Sequence, residues 1–299
     1  MRKIKIITDS CSDLNGALLE KYDIDYAKMS TVHNGVESPA YLTWSDDEAH
    51  NLYELMRNGE RITTAQVSIE EFQRIFDKYI SEGFDIIYIA CSSKQSGSVN
   101  TGYVVAQKIL ADNPDVKIAC IDSQNASLGV GMIAIEAAKL VQEGKSFEEV
   151  VERVMAVRKT VNQYVTVNSL TALKRAGRVK GPAAFFGNLL GVKPILISDK
   201  NGTQAAYKKV KGRQASFAEI VAMLKSTIKN PQEQTVYIAH ADCTKEEVDM
   251  LVNMVKEQID CKDIFVGYIG PIIGASIGPS AVGVWGFGET VTFEIGETK

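Results

Sequence analysis

Seven short apolar runs punctuate this chain, at residues 3–8, 85–90, 116–121, 164–167, 194–198, 235–239 and 263–269. Their near-continuous hydrophobicity suits strands of a parallel sheet covered on both faces. Between them the period changes. Ile69, Phe72, Phe76 and Tyr79 fall on one helical face, as do Val248, Leu251, Val252 and Val255. A serine or threonine followed three residues later by glutamate recurs at 45, 68, 146, 216 and 244, the signature of a capped helix start. The alternation predicts an α/β protein: two α/β domains with mostly parallel sheets, residues 1–160 and 161–299. Residues 290–295, TVTFEI, alternate in polarity and predict an edge strand.

Residues 264–288 carry no charge and are long enough to cross a bilayer. They also hold seven of the chain's 23 glycines and two of its seven prolines. In a helix interior Gly costs about 1 kcal/mol and Pro about 3 kcal/mol relative to Ala. The stretch therefore predicts buried strand, tight loop and strand, with no transmembrane segment. The opening MRKIKIITDS is broken by Asp9 too early for a signal peptide. With 299 residues, 45% apolar, 23% charged and a net charge of −4, the composition is that of a folded globular protein and offers no nucleic-acid surface. Five widely spaced cysteines without a C-x-x-C pair fit a reduced cytoplasm, not a disulfide framework or a zinc site.

Polar residues collect where the predicted strands end, which is where open α/β sheets bind ligands. Thr8, Asp9 and Ser10 follow the first run; Ser92, Ser93, Ser96 and Gly97 follow the second; Asp122, Ser123 and Ser127 follow the third. Thr63 and Thr64 precede a predicted helix cap. A lone Ser or Asp at such a place is ordinarily a turn or a cap, but the convergence of several clusters predicts a shared polar site. Three occupants are open. A phosphate could meet the amides that start a helix over 98–110, although no phosphate-loop or dinucleotide motif is present. A serine nucleophile would need a base. The chain offers only His33 in a turn-like stretch, His50 on a predicted helix and His240 at a strand end, and it has no G-x-S-x-G elbow. The third occupant is a carboxylate held by hydroxyls with apolar walls behind it. Residues 180–197 predict a helix that begins at Pro182, carries Phe185 and Phe186 and stops at Gly191. That helix and the glycine-rich stretch could line such a slot. No metal-ligand spacing occurs, so no metal is expected.

Seven motifs then stand in order along the whole chain: TDSCSDL (8–14), TTAQVS (63–68), CSSKQSGSVNTG (91–102), DSQNASLGVG (122–131), LKRAGRV (173–179), LLGVKPIL (189–196) and GPIIGASIGPSAVG (270–283). In these the sequence resembles the DegV family, bacterial fatty-acid-binding proteins that act as the lipid-presenting subunit of fatty acid kinase. The resemblance implies a cytoplasmic protein that binds a long-chain fatty acid in a buried tunnel and presents its carboxylate to a fatty acid kinase for acyl-phosphate formation. It implies no catalytic residue, no cofactor beyond the fatty acid, and at most transient membrane contact. The first domain would carry the head-group loops and the second would contribute to the tunnel. Carried over by position, the carboxylate would meet Thr64 and Ser93, with Ser96 in the same loop, while Arg178 falls on the family's arginine at the mouth, where a kinase would engage. Two departures stand out. Ser276 and Ser280 replace the histidine and last glycine of the family's H-x-G-P-G, and Ala65 and Val67 depart from its TSQP. Serine offers one neutral donor where imidazole can carry charge. A buried carboxylate without a cation then needs several hydrogen bonds, with Ser276 expected among the donors. A serine-dependent hydrolase or acyltransferase and a binder of a small phosphorylated ligand are the alternatives.

Overall fold

The computed structural model describes residues 2–181 and 191–296; the expected helix with Pro182, Phe185 and Phe186 lies outside the described residues. In chain order the elements are β1 (Lys3–Asp9), α1 (Gly16–Lys21), β2 (Ile24–Ala27), β3 (Ser30–His33), β4 (Val36–Pro39), α2 (Asp46–Arg57), β5 (Ile62–Ala65), α3 (Ile69–Ser81), β6 (Phe84–Ala90), α4 (Ser98–Asp112), β7 (Ile118–Asp122) and α5 (Leu128–Gln142). There follow α6 (Phe147–Val157), β8 (Val161–Thr166), α7 (Thr171–Ala176), β9 (Val179–Lys180), β10 (Val192–Ser198), β11 (Gln204–Lys211), α8 (Arg213–Thr227), β12 (Thr235–His240), α9 (Lys245–Gln258), β13 (Asp263–Tyr268), α10 (Pro271–Ile277) and β14 (Val282–Phe287).

The chain has the expected α/β class. A four-stranded parallel sheet runs in the order β2-β1-β6-β7. Its inner strands are buried on both faces, as their unbroken apolar runs require. A seven-stranded sheet built after residue 160 runs β13-β12-β14-β8-β10-β11-β9. Its directions are mixed: β12 with β13 and β11 with β9 are parallel, and the pairings between β12 and β11 are antiparallel. The connection from β10 to β11 is a tight hairpin, too short for the crossover a parallel pair needs. A small antiparallel sheet, β4-β3-β5, was not foreseen; it puts Thr63 and Thr64, which precede the Ser68 cap as expected, on a strand.

Four of the five expected caps form. Ser45 and Ser146 make complete capping boxes, and Ser68 and Thr244 accept from the amides three residues on. Ser216 does not. The helix α8 already starts at Arg213, so the buried Ser216 Oγ donates back to the Arg213 carbonyl at 2.6 Å, while Glu219 is taken by Lys208 at 2.8 Å. On α3 the buried stripe is Phe72, Ile75, Phe76 and Tyr79, and Ile69 in the first turn faces solvent. Residues 264–288 contain a short helix, α10, where only a tight loop was expected; Pro271 sits in its first turn. Residues 290–295 form no strand. Single bonds hold them, Val291 N–H to the Lys159 carbonyl and the Lys200 N–H to Phe293, and Phe293 stands edge-on to Tyr207. No helix among the described residues is long and apolar enough to cross a membrane.

Helix α5 explains how the two large sheets cohere. Every residue from Leu128 to Ile135 is buried, and the helix packs on β1 and β6 of one sheet and on β8 and β12 of the other. First turns apolar on all sides are the expected solution for such a shared middle layer. Polar clasps close the edges. Ser92 Oγ and Gln95 Nε2 donate to the Gly202 carbonyl in the β10–β11 hairpin at 2.8 and 3.3 Å. Gly202 has φ +85°, and a Cβ there would sit 2.3 Å from Ser92 Oγ, so glycine is required for both conformation and approach. On the far side Tyr53 Oη donates to the Ile269 carbonyl at 2.6 Å, and Arg57 binds Asp242 at 2.6 Å.

Candidate functional site

Between the carboxyl ends of β1 and β6 and one face of the seven-stranded sheet lies a cavity of about 150 Å³. Its floor follows strand alternation. Gln163 and Val165 of β8 point the same way, beside Trp285 of β14 and Leu196 of β10. Its roof is α10, through Ile272, Ile273 and Ile277, with Leu173 of α7. The loops after β1, β6 and β7 close the remaining side with Cys11, Ser96, Ala126 and Ser127.

A second cavity, of about 160 Å³, adjoins it. This one is polar, with Glu60, Arg61 and Arg175 among its walls. Thr64, Ser276 and Arg178 line both. They therefore stand between a more apolar cavity and a more charged one. Thr64 is delivered by β5, where it pairs with Thr31 of β3, and Ser276 by the last turn of α10. The exposed Arg178 reaches Gln95 O with Nε at 3.3 Å and bonds the Ala176 carbonyl through a terminal nitrogen. Among the described residues no carboxylate pairs with it.

Of the five expected site residues, Thr64, Ser96, Ser276 and Arg178 line this cavity and Ser93 does not. After β6 the chain makes a tight turn, with the amides of Gln95 and Ser96 both on the Ser92 carbonyl. That turn sends Ser93 to solvent, its amide on Asp122 Oδ1 at 3.2 Å, and brings Ser96 to the cavity beside Ser98 Oγ at 2.9 Å. Ser92 is buried and committed to Gly202. Sequence reasoning missed Gln163, Gln204 and Trp285. Their only signal is side-chain alternation on strands whose register must be known first.

One carboxylate organises the inner rim. Asp9 is fully buried; Oδ1 accepts from Cys11 N–H at 3.0 Å, and Oδ2 accepts from Cys91 N–H and Tyr88 Oη, both at 2.9 Å. Burial raises its pKa and the amides oppose that rise. Asp13, in the same loop, bridges to the second sheet: Oδ1 accepts from Gly270 N–H at 2.9 Å and Oδ2 from Ser127 Oγ at 2.5 Å. Burial pushes it up to about 7, against the hydrogen bonds from Ser127 and Gly270. The Cys11 thiol is held well above its ordinary range by its hydrogen bond with Cys91 and by burial, so it is protonated and a poor nucleophile.

The histidines lie elsewhere. His33 meets Glu60 at 3.2 Å on β3, His50 meets Asp242 at 2.9 Å, and His240 lies tilted against Tyr268 with its pKa lowered by burial. None is among the described residues lining the cavity, so a serine there has no imidazole to take its proton. His50, Glu54 and Asp242 are close enough to share an ion, but Arg57 already bonds both carboxylates, each at 2.6 Å, and supplies the positive charge.

The model of the DegV family, described as an uncharacterised protein family, matches residues 3–288. A DegV domain-containing protein of Clostridium perfringens is 35% identical over 292 residues, 97% of this chain and 99% of that relative. Among solved structures, a DegV lipid-binding protein from Thermotoga maritima superposes with a TM-score of 0.82 at 27% identity, covering 95% of this chain and 97% of its own. A DegV family protein from Thermus thermophilus, described for its fatty acid binding, gives 0.85 at 26% identity, covering 97% of this chain and 100% of its own. With a family match across nearly its whole length, and relatives of the same fold and extent, this chain belongs to the DegV family.

Proposed function

We propose that this protein binds a long-chain fatty acid in the inner cavity and holds its carboxylate at the boundary formed by Thr64, Ser276 and Arg178, within reach of a fatty acid kinase. The observation that carries this reading is the change of character there: mainly apolar walls from α10, α7, Val165, Leu196 and Trp285 on one side, and Glu60, Arg61 and Arg175 on the other. Fatty acid binding by the Thermus thermophilus relative supports it. Each methylene buried there offers ~0.8 kcal/mol before the costs of ordering the chain. The hydroxyls of Thr64, Ser96 and Ser276 donate to the carboxylate. Arg178 supplies the positive charge that Ser276, unlike a histidine, lacks.

Mass spectrometry of an organic extract of the purified protein tests the binding. A C14–C18 acid is expected; no lipid in the extract and no binding of added acids would end the proposal. Thr64→Ala removes one bond to a charged group and should weaken binding about tenfold or more, measured by displacement of a fluorescent fatty acid.

Presentation to a kinase is tested separately. Incubated with the fatty acid kinase of the same organism and ATP, the loaded protein should yield acyl phosphate. Arg178→Gln should lower that rate about tenfold, the scale of one charge-assisted contact. A wild-type rate in Arg178→Gln removes the arginine from the interaction, and no product from wild-type protein removes the kinase.

A further inference from the structure

A further cavity, of about 260 Å³, lies at the carboxyl ends of β12 and β13. It shares no described lining residue with either cavity above. The ends of parallel strands are where α/β sheets take ligands. His240 and Tyr268 are the last residues of the two strands and pair directly. The turn leading into α2 brings Trp44 and Asp46 to the same cavity, and the loop after β1 brings Asp13. The rings are inclined to one another. Trp44 meets Tyr268 at 75° with centroids 6.2 Å apart, and His240 meets it at 53° and 4.5 Å.

The charge around this hollow has one sign. Asp46 opens α2, and no hydrogen bond or ion pair engages its carboxylate among the described residues. Asp13, with a pKa of about 7, adds a fractional negative charge near neutral pH. Burial raises the pKa of Tyr268, and the fields of Asp46 and Asp242 raise it further. His240 is only 8% exposed, and burial lowers its pKa, so the imidazole is neutral at pH 7 and supplies no cation. Its side chain makes no hydrogen bond among the described residues; Nδ1 is sealed from solvent and Nε2 is not. No lysine or arginine is among the described residues lining the cavity.

A bare metal ion is the wrong occupant. Asp13, Asp46 and His240 do not gather their donor atoms within 4.8 Å of one another; among the described residues only His50, Glu54 and Asp242 do so. The cavity is also many times the ~15 Å³ that admits one water. A larger cation that uses rings as well as carboxylates suits both facts. We propose that this cavity binds an organic ammonium ion, held beside the Asp46 carboxylate and against the rings of Trp44 and Tyr268. The ring quadrupoles attract such an ion, and the carboxylate supplies the full countercharge. The site is independent of the fatty-acid reading.

The test is isothermal titration of the full chain with choline, with ethanolamine and with the uncharged analogue of choline that carries a tert-butyl group in place of trimethylammonium. All three are measured in the same sodium chloride background, since salt screens exposed charge. At least one of the two ammonium ions should bind about tenfold tighter than the uncharged analogue, the scale of one charged contact. Asp46→Asn should weaken that binding about tenfold, and Trp44→Leu about fivefold or more. Circular dichroism checks that the variants fold; should Trp44→Leu fail, Asp46→Asn at an exposed helix start still decides the matter. Absence of heat from both ammonium ions, equal binding of the uncharged analogue, or an unchanged affinity in Asp46→Asn overturns the inference. Displacement of a fluorescent fatty acid should be unaltered in both variants, which separates this site from the inner cavity.

Discussion

Ala126→Phe should abolish fatty acid binding and leave the protein folded. Ala126 is 6% exposed and lines the inner cavity from the loop after β7. A phenyl group there occupies space in a cavity of only about 150 Å³. Excluding even four methylenes of the ligand forfeits about 3 kcal/mol, an affinity loss of more than about a hundredfold. Overfilling an existing cavity is milder for the fold than overfilling a packed core, whose usual cost is about 1–3 kcal/mol. The two readouts are displacement of a fluorescent fatty acid and thermal unfolding followed by circular dichroism. A folded Ala126→Phe protein with wild-type affinity would show that the acyl chain lies somewhere else.

The second large effect concerns stability and pH. Asp13 carries a pKa of about 7 in the folded protein against an ordinary 3.8, because burial penalises its charge. The folded state therefore holds a proton that the unfolded state has released between about pH 4 and pH 7. Stability from this group is complete below about pH 4 and is lost as pH rises through 7. The difference corresponds to on the order of 4 kcal/mol. Asn mimics the protonated acid: its oxygen can accept from Gly270 N–H and its amide can donate to Ser127 Oγ. Asp13 also has φ +53°, a left-handed conformation that Asn tolerates better than most residues. Asp13→Asn should match wild type near pH 4 and exceed it by a few kcal/mol at pH 8. Urea unfolding across that range reads the gap, and parallel curves would mean that Asp13 carries no raised pKa.

Much of the scaffold was legible because local chemistry and global fold agree. The apolar runs at 3–8 and 85–90 became β1 and β6, and four hydroxyl–glutamate pairs became helix caps. Of the polar residues expected at the strand ends, Thr64, Ser96 and Ser127 line one cavity, whereas Thr8, Asp9 and Ser10 after β1 do not. The failures share a cause. Ser93 and Ser96 differ only by how a turn is wound, which depends on Ser92 being pulled to Gly202 more than a hundred residues away. Ser216 has the same local signature as Ser146, but its glutamate is drawn off by Lys208 across the surface. TTAQ reads only as the lead-in to a helix cap until β3 supplies a partner strand. Gln163 and Trp285 acquire meaning only once β8 and β14 are set in register.

The clasps on either side of α5 constrain how a ligand can get in. Ser92 and Gln95 hold the β10–β11 hairpin along one edge, while Asp13, Tyr53 and Arg57 hold the opposite edge at Gly270, Ile269 and Asp242. A jaw-like parting of the halves would sever both rows at once and strip α5 of one of its two coverings. On the proposed reading an acyl chain would instead thread tail-first past Thr64, Ser276 and Arg178, its acidic end the last part to arrive and the first to be met from outside.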